Sequence, residues 1–461
     1  MMRPPGQDDR SGERLDYFLA HPKRAVWTLA LPMMAGFTVH AIYTVVDTAF
    51  VGRLGAEALA AITFVVGPFF VAAALSNGLS AGLTAAVAQA VGRRDIASAR
   101  RLASVGLGLA LLLGAVLLVV GLVFGRMTLV ALGAKGVTVD LAWAYLRWIA
   151  IGMPLFFVAG SIRAVLTGQG DARTPMVVIA LATTLNLGLD PLFIFVLNLG
   201  IAGAALATIA AQIFGVSTLS FLVFFRGNTQ VRPSLRHLLP DMVSLLRIGR
   251  VAAPAAVGQL VMALGMGLSA RLISEFGQRA VAGYGAGSKV DLMVVLPVLG
   301  LASATVSVLG MFSGAGRVDL VRMVTLYTYR SVVLVAAAFG TSAYFAADSV
   351  IGLFTSDPVA MATGHQYLAY MVFSYPLMAF GMTSGRILQG LGHGLPSLVI
   401  TLVRVLFIGV GGAYVAVYVF GGPITSIWLA FIAGGVVANI LAGLWVYSAV
   451  WRRDPTIRAR A

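Results

Sequence analysis

The sequence predicts an all-α integral membrane protein, with twelve transmembrane helices in two pseudo-symmetric six-helix bundles around a central cleft. Three observations carry that prediction. First, 59% of the 461 residues are hydrophobic and only 11% charged, with a mean hydropathy of +0.94, whereas soluble domains run nearer half apolar and about a quarter charged. Second, apolar stretches of some twenty residues or more recur along the whole length. Each can cross about 30 Å of hydrocarbon as a helix, which satisfies every backbone group internally. Third, the two halves repeat each other at a constant spacing. The alternating ten-residue segments of an outer-membrane barrel are missing.

The spans fall at 25–50, 59–82, 102–125, 138–162, 175–197 and 200–225, then at 250–274, 281–312, 325–354, 363–388, 396–420 and 424–450. Residues 1–24 are polar and charged and read as a cytoplasmic tail. The apolar span that follows is too long for the h-region of a signal peptide and lacks a convincing cleavage site. An N-terminal bundle then occupies 25–225, a basic, proline-containing cytoplasmic linker 226–249, a C-terminal bundle 250–450 and a cytoplasmic tail 451–461. Basic residues gather in GRRDIASARR, the linker, the Arg317 to Arg330 region and WRRDPTIRAR, while the connectors near Leu199 and Gly422 carry none. By the positive-inside rule both termini then lie in the cytoplasm, as expected of a multi-pass protein of the bacterial inner membrane. The same clustering between spans explains the net charge of +15 without nucleic acid. With no cysteine there is no disulfide, thiolate metal site or cysteine nucleophile.

At an offset of 222, Pro32 pairs with Pro254, Gly55 with Gly277, Ala58 with Ala280, Ala60 with Ala282, Pro154 with Pro376, Gly168 with Gly390 and Gly170 with Gly392. Six spans separate equivalent points, so both copies share one orientation. This is a parallel repeat about an axis along the membrane normal, an architecture suited to alternating access.

Ionisable residues inside spans are functional candidates because each is costly to keep in lipid. In the first half the clear cases are Asp47 and Asp190. Asn186 and Asp190, at i and i+4, share a face, as do His40, Tyr43 and Asp47 at i, i+3 and i+7. Together Asp47, Asn186 and Asp190 could form an oxygen-rich pocket for a proton or small cation, with Tyr43 hydrogen-bonding Asp47. Blander readings stand beside this one: Asp47 capping its helix beside Arg53, Asp190 hydrogen-bonding Asn186 without a transport role, and His40 lining a cleft. Pro32 and Pro191 each remove a backbone donor and permit a bend.

The second half is not equivalent: Ser269 stands opposite Asp47 and Gly412 opposite Asp190. Its intraspan polar residues are Gln259, Lys289, Asp291, Tyr375, Arg386 and Arg404. Lys289 and Asp291, at i and i+2, do not face each other, which suggests charge pairs across helices. Methionines including Met262, Met266, Met293 and Met371 could form an adaptable apolar wall, so His40, Gln259, Met262 and Tyr375 are candidates to line a substrate cleft. Walker A, HExxH and credible GxSxG motifs are missing, so no catalytic residue is assigned and transport would draw on an ion gradient.

The stretch LPMMAGFTVHAIYTVVDTAFVGRLGAEALAAITF, followed by GLSAGLTAAVAQAVGRRDIASARR, with GQGDARTPM and NLGLDPLFIF further on, resembles the multidrug and toxic compound extrusion (MATE) family. The likeness extends over nearly all twelve spans and looks closest to the prokaryotic DinF-like branch. The resemblance implies a coupling site at Asp47, Tyr43, Asn186, Asp190 and Thr208, with Pro32 at the first helix's bend. The glutamate of the NorM-like branch has no counterpart, since Met262 stands about where it would be. The resemblance further implies an antiporter that takes in H⁺, or alternatively Na⁺ held by Asp47, Asn186, Asp190 and Thr208, and expels amphipathic, often cationic, organic compounds. No cofactor is implied, nor any nucleic-acid partner, and a monomer embedded in the bilayer is expected to suffice. The alternative is a lipid-linked oligosaccharide flippase of the same superfamily, which would resemble a fourteen-helix chain with a cationic cavity.

Overall fold

The computed structural model describes residues 10–224, 229, 231–234, 237–352 and 355–452. The expected termini beyond these limits, and part of the linker, lie outside the described residues. Among the described residues the regular structure is helical throughout. Helix α1 (Arg10–Ala20) precedes α2 (Pro22–Gly52), α3 (Ala56–Gly92), α4 (Ile96–Ala131), α5 (Val137–Gly168), α6 (Arg173–Pro191) and α7 (Gly200–Phe224). The second half holds α8 (Met242–Ser274), α9 (Gln278–Gly314), α10 (Val318–Phe345), the short α11 (Ala347–Gly352), α12 (Pro358–Gly390), α13 (Gly394–Leu402), α14 (Gly411–Tyr414) and α15 (Thr425–Val450). A π-helical turn, Leu192–Val196, continues α6, and two more, Val403–Val410 and Val415–Val419, join α13 to α14 and extend it.

Eleven of these helical stretches are long and apolar enough to cross a membrane. Helix α12, 33 residues long, fills the remaining span, the tenth in order, and carries His365, Arg386 and Gln389. Each predicted span therefore has its helix. Several run well past the expected ends: α3 and α9, each of 37 residues, span about 55 Å at 1.5 Å per residue and outlast the hydrocarbon layer. Two expectations need correction. The polar tail 1–24 contains α1, an amphipathic helix that buries Leu15 and Phe18. The linker 226–249 also ends early, because α8 begins at Met242, where Asp241 accepts from the Ser244 amide at 3.0 Å.

Packing divides the chain into two units. Unit 1 comprises the segment ending at Ala20 together with Ala35–Ala256, and unit 2 comprises His21–Met34 with the chain from Val257 onward. The divisions fall within α2 and α8, two residues beyond Pro32 and Pro254 respectively. The opening of α2 thus belongs with unit 2, not with the 25–225 bundle: Trp27 Nε1 donates to the Tyr327 hydroxyl at 2.8 Å. In unit 1, α5 packs against α3, α4 and α7; in unit 2, its counterpart α12 packs against α9, α10 and α15.

The repeat is visible in the backbone. Gly55 (φ 111°) and Gly277 (φ 97°) begin α3 and α9, and Gly170 (φ 80°) and Gly392 (φ 85°) turn the chain after α5 and α12. These left-handed values are open to glycine at no steric cost. Close approaches repeat as well. A Cβ on Gly78 of α3 would lie 2.6 Å from the Ala252 carbonyl of α8, and one on the equivalent Gly300 of α9 would lie 2.8 Å from the Met34 nitrogen of α2. Small residues let helix backbones meet where lipid supplies no hydrophobic drive to pack them.

Candidate functional site

In unit 1, α6 presents Asn186 and Asp190 one turn apart, 2% and 0% exposed. Asn186 Nδ2 donates to Asp190 Oδ1 at 3.2 Å. Pro191 follows directly, and beyond it the helix loosens into the Leu192–Val196 π-turn, a departure from α-helical geometry that recurs at functional sites.

Helix α2 brings Asp47 against this pair, so that the Asp47 and Asp190 carboxyl groups face each other within hydrogen-bonding reach. Asp47 Oδ1 and Asp190 Oδ2 are both buried, and neither has a hydrogen-bond donor. Two facing carboxylates offer only acceptors, so a bond between them requires a proton, and a small cation would serve the same oxygens. Tyr43 stands one turn earlier on α2 and meets Thr208 of α7. The Thr208 hydroxyl donates to the Ala204 carbonyl at 3.0 Å, which leaves its oxygen free to accept the tyrosine proton. The expected Tyr43–Asp47 hydrogen bond is not made; Tyr43 lies beside Thr208 and within electrostatic range of both aspartates. All five expected polar positions thus converge.

Sequence reasoning missed two neighbours. Tyr145 of α5 lies close to both Asp47 and Asp190. Arg163, also on α5, lies near His40; the span boundary at 162 excluded it, although α5 runs on to Gly168. The repeat held a signal for Tyr145, since Tyr367 occupies the equivalent position. His40 stacks obliquely on Tyr43 with ring centroids 6.0 Å apart. Pro32 lies inside an α2 that is helical throughout.

Unit 2 arranges its polar residues differently. Asp291 of α9 accepts from the Tyr367 hydroxyl on one oxygen and from the Tyr375 hydroxyl, at 2.7 Å, on the other. The charge pair expected for Asp291 is thus replaced by two tyrosines, and Tyr375, only 3% exposed, is committed to that carboxylate. Tyr284 and Trp428 pack on Tyr367. Gln259 is half-buried on α8, and Met262, 37% exposed, accepts a contact from Arg404 Nη2 at 3.3 Å.

A helical chain with membrane-length spans, a six-span internal repeat and a buried cluster of facing carboxyl groups in one copy has the build of a secondary transporter. The sequence model of the MatE family matches residues 32–192 and again 254–415, copies that begin 222 residues apart, and the chain belongs to that family. It is 27% identical to the probable multidrug resistance protein NorM of Thermotoga maritima, over 92% of each chain. It is also 24% identical to an FAD transporter of Shewanella oneidensis, covering 95% of this chain and 96% of that one. Among solved structures, a MOP superfamily transporter from Pyrococcus furiosus superposes with a TM-score of 0.88 at 30% identity, covering 93% of this chain and 96% of that one. The protein is therefore a multi-pass membrane transporter of the multidrug-efflux kind, built for small organic substrates.

Proposed function

We propose that the chain is a cation-coupled antiporter of the bacterial inner membrane, with both termini cytoplasmic, that acts as a monomer and exports amphipathic organic compounds by alternating access. The observation that carries the coupling is the pair of facing carboxyl groups, Asp47 and Asp190, each with a buried oxygen that lacks a donor. A proton shared between them completes both. Its departure leaves two carboxylates with no donor for the facing oxygens, an arrangement relieved by moving α2 away from α6. Asn186 holds Asp190 in place through either state, and Thr208 anchors Tyr43. Sodium is the alternative coupling ion, since Asp, Asn and Thr oxygens suit a hard cation. The multidrug-resistance name of the Thermotoga relative supports export of organic compounds, and the division of α2 just past Pro32 supports a hinge there.

Ethidium transport by proteoliposomes under separately imposed pH and sodium gradients tests the proposal. One gradient should drive uptake in the wild type, and Asp47→Asn and Asp190→Asn should abolish that drive. Transport indifferent to both gradients would refute it.

A further inference from the structure

Arg404 of unit 2 stands about ten residues beyond the start of α13, about 15 Å along the span at 1.5 Å per residue, near the middle of a hydrocarbon layer about 30 Å thick. An arginine keeps its charge in a protein, and a charge at that depth is costly to leave without a polar partner. Among the described residues its only hydrogen-bond contact is the Met262 sulfur on α8, a weak neutral acceptor.

The described acids of the unit are engaged elsewhere. Both Asp291 oxygens accept from tyrosines. Near the helix ends, Glu275 takes the Tyr418 hydroxyl, Asp319 pairs with Arg317, Asp348 with His365 and Asp357 with Arg279. Arg386 of α12 donates to Gln389 Oε1 at 3.2 Å. Arg404 alone among them has a thioether for a partner.

Its backbone is held firmly. At Val403 the α-helix gives way to the Val403–Val410 π-segment, and a Cβ at either Gly409 or Gly434 would lie 2.6 Å from the Arg404 carbonyl oxygen. The repeat equivalent is Ala182, within unbroken α6, so the guanidinium belongs to unit 2 alone and is not part of what the two copies share. Beside it on α8, Gln259, Met262 and Met266 follow at i, i+3 and i+7, and Met266 is 62% exposed. A cation against Met262, on a helix face that also carries the Gln259 amide and the exposed Met266 thioether, complements a molecule with an anionic group at one end and an apolar body.

We infer that Arg404 is a specificity residue that binds the carboxylate of those amphipathic substrates that carry one, with their apolar part along Met262 and Met266. This rests on the export reading above. The test compares norfloxacin, which carries a carboxylate, with ethidium, which is purely cationic, using the full-length protein in proteoliposomes. Arg404→Gln should weaken norfloxacin binding about tenfold or more, the loss expected for a hydrogen bond to a charged group. Ethidium binding should change by no more than about twofold, and Arg404→Lys should recover part of the norfloxacin affinity. Equal losses for both compounds in either variant, unchanged norfloxacin binding in Arg404→Gln, or a wild type that exports ethidium but does not bind norfloxacin would overturn the inference. If the wild type moves neither compound under any gradient, it is the export reading that fails.

Discussion

The two units share a scaffold but not a chemistry. Gly78 admits Ala252 and Gly300 admits Met34 at equivalent close approaches, and α5 and α12 occupy equivalent central places in their units. Tyr145 and Tyr367, also equivalent, both stand beside carboxylates. Yet in unit 1 the carboxylates are two, come from α2 and α6, and face each other short of donors. In unit 2 the carboxylate is single, comes from α9, and has a tyrosine hydroxyl on each oxygen. A repeat preserves what packing demands, since backbone contact is unforgiving of added atoms. Side chains that carry charge are free to diverge, and here one copy holds an incomplete cluster and the other a satisfied one.

The comparison can be broken first at Asp190. Asp190→Asn should reduce gradient-driven drug transport to the level of empty liposomes while the protein keeps its helical content and monodispersity. Asp47→Asn should also uncouple transport, and restoring one acid in the double variant should not restore coupling, because the two act as a unit. Asp291→Asn should behave otherwise: coupling persists, and losing hydrogen bonds to a charged acceptor lowers stability by about 1–3 kcal/mol, seen as a lower midpoint of thermal unfolding in detergent.

The scaffold half of the comparison predicts matched effects. Gly78→Ala and Gly300→Ala should each destabilise by about 1–3 kcal/mol, the usual cost of overpacking, and by similar amounts. Unequal losses would show that the two close approaches are not equivalent. The smallest effect concerns caps outside the membrane. Asp95 caps α4 by accepting from the Ser98 amide at 2.9 Å, whereas Arg317 stands at the equivalent place before α10 and binds Asp319 instead. The Ser98 hydroxyl and amide hold the Asp95 carboxyl below its usual range. Its contribution is therefore complete above pH of about 4, the ordinary aspartate value, and fades as pH falls through the lower folded value. Asp95→Ala should cost about 0.5–1 kcal/mol near neutral pH, with the deficit shrinking in acid, and the smaller effect of Arg317→Ala should fade in acid too, because Arg317 holds the Asp319 carboxyl below its usual range.

Much of this was legible in the sequence, because lipid imposes a simple rule on hydrophobic length and a repeat imposes a constant offset. The twelve spans and the offset of 222 follow from those two constraints, and the candidacy of Asp47, Asn186 and Asp190 follows from the cost of ionisable groups in lipid and from helical spacing. Other features were hidden for physical reasons. Helix α1 reads as a polar tail because only one face of it, with Leu15 and Phe18, is buried. Hydropathy marks where a helix meets lipid, not where it stops, so α3 and α9 outran their spans. The π-turns depend on backbone register that no residue pattern announces. Partner choice for Asp291 required three dimensions: its tyrosines lie about eighty residues away on α12, whereas the nearby Lys289 drew attention to charge pairing.

The most direct test of the account reverses the flow. With an outward ethidium gradient and no imposed ion gradient, proteoliposomes carrying internal pH and sodium indicators would report whether drug movement drives a cation the other way. The account predicts that the wild type and Asp291→Asn move one of the two ions and that Asp190→Asn moves neither. Ion movement that survives in Asp190→Asn, or that vanishes in Asp291→Asn while ethidium still exchanges, would place the coupling outside the facing aspartates and contradict it.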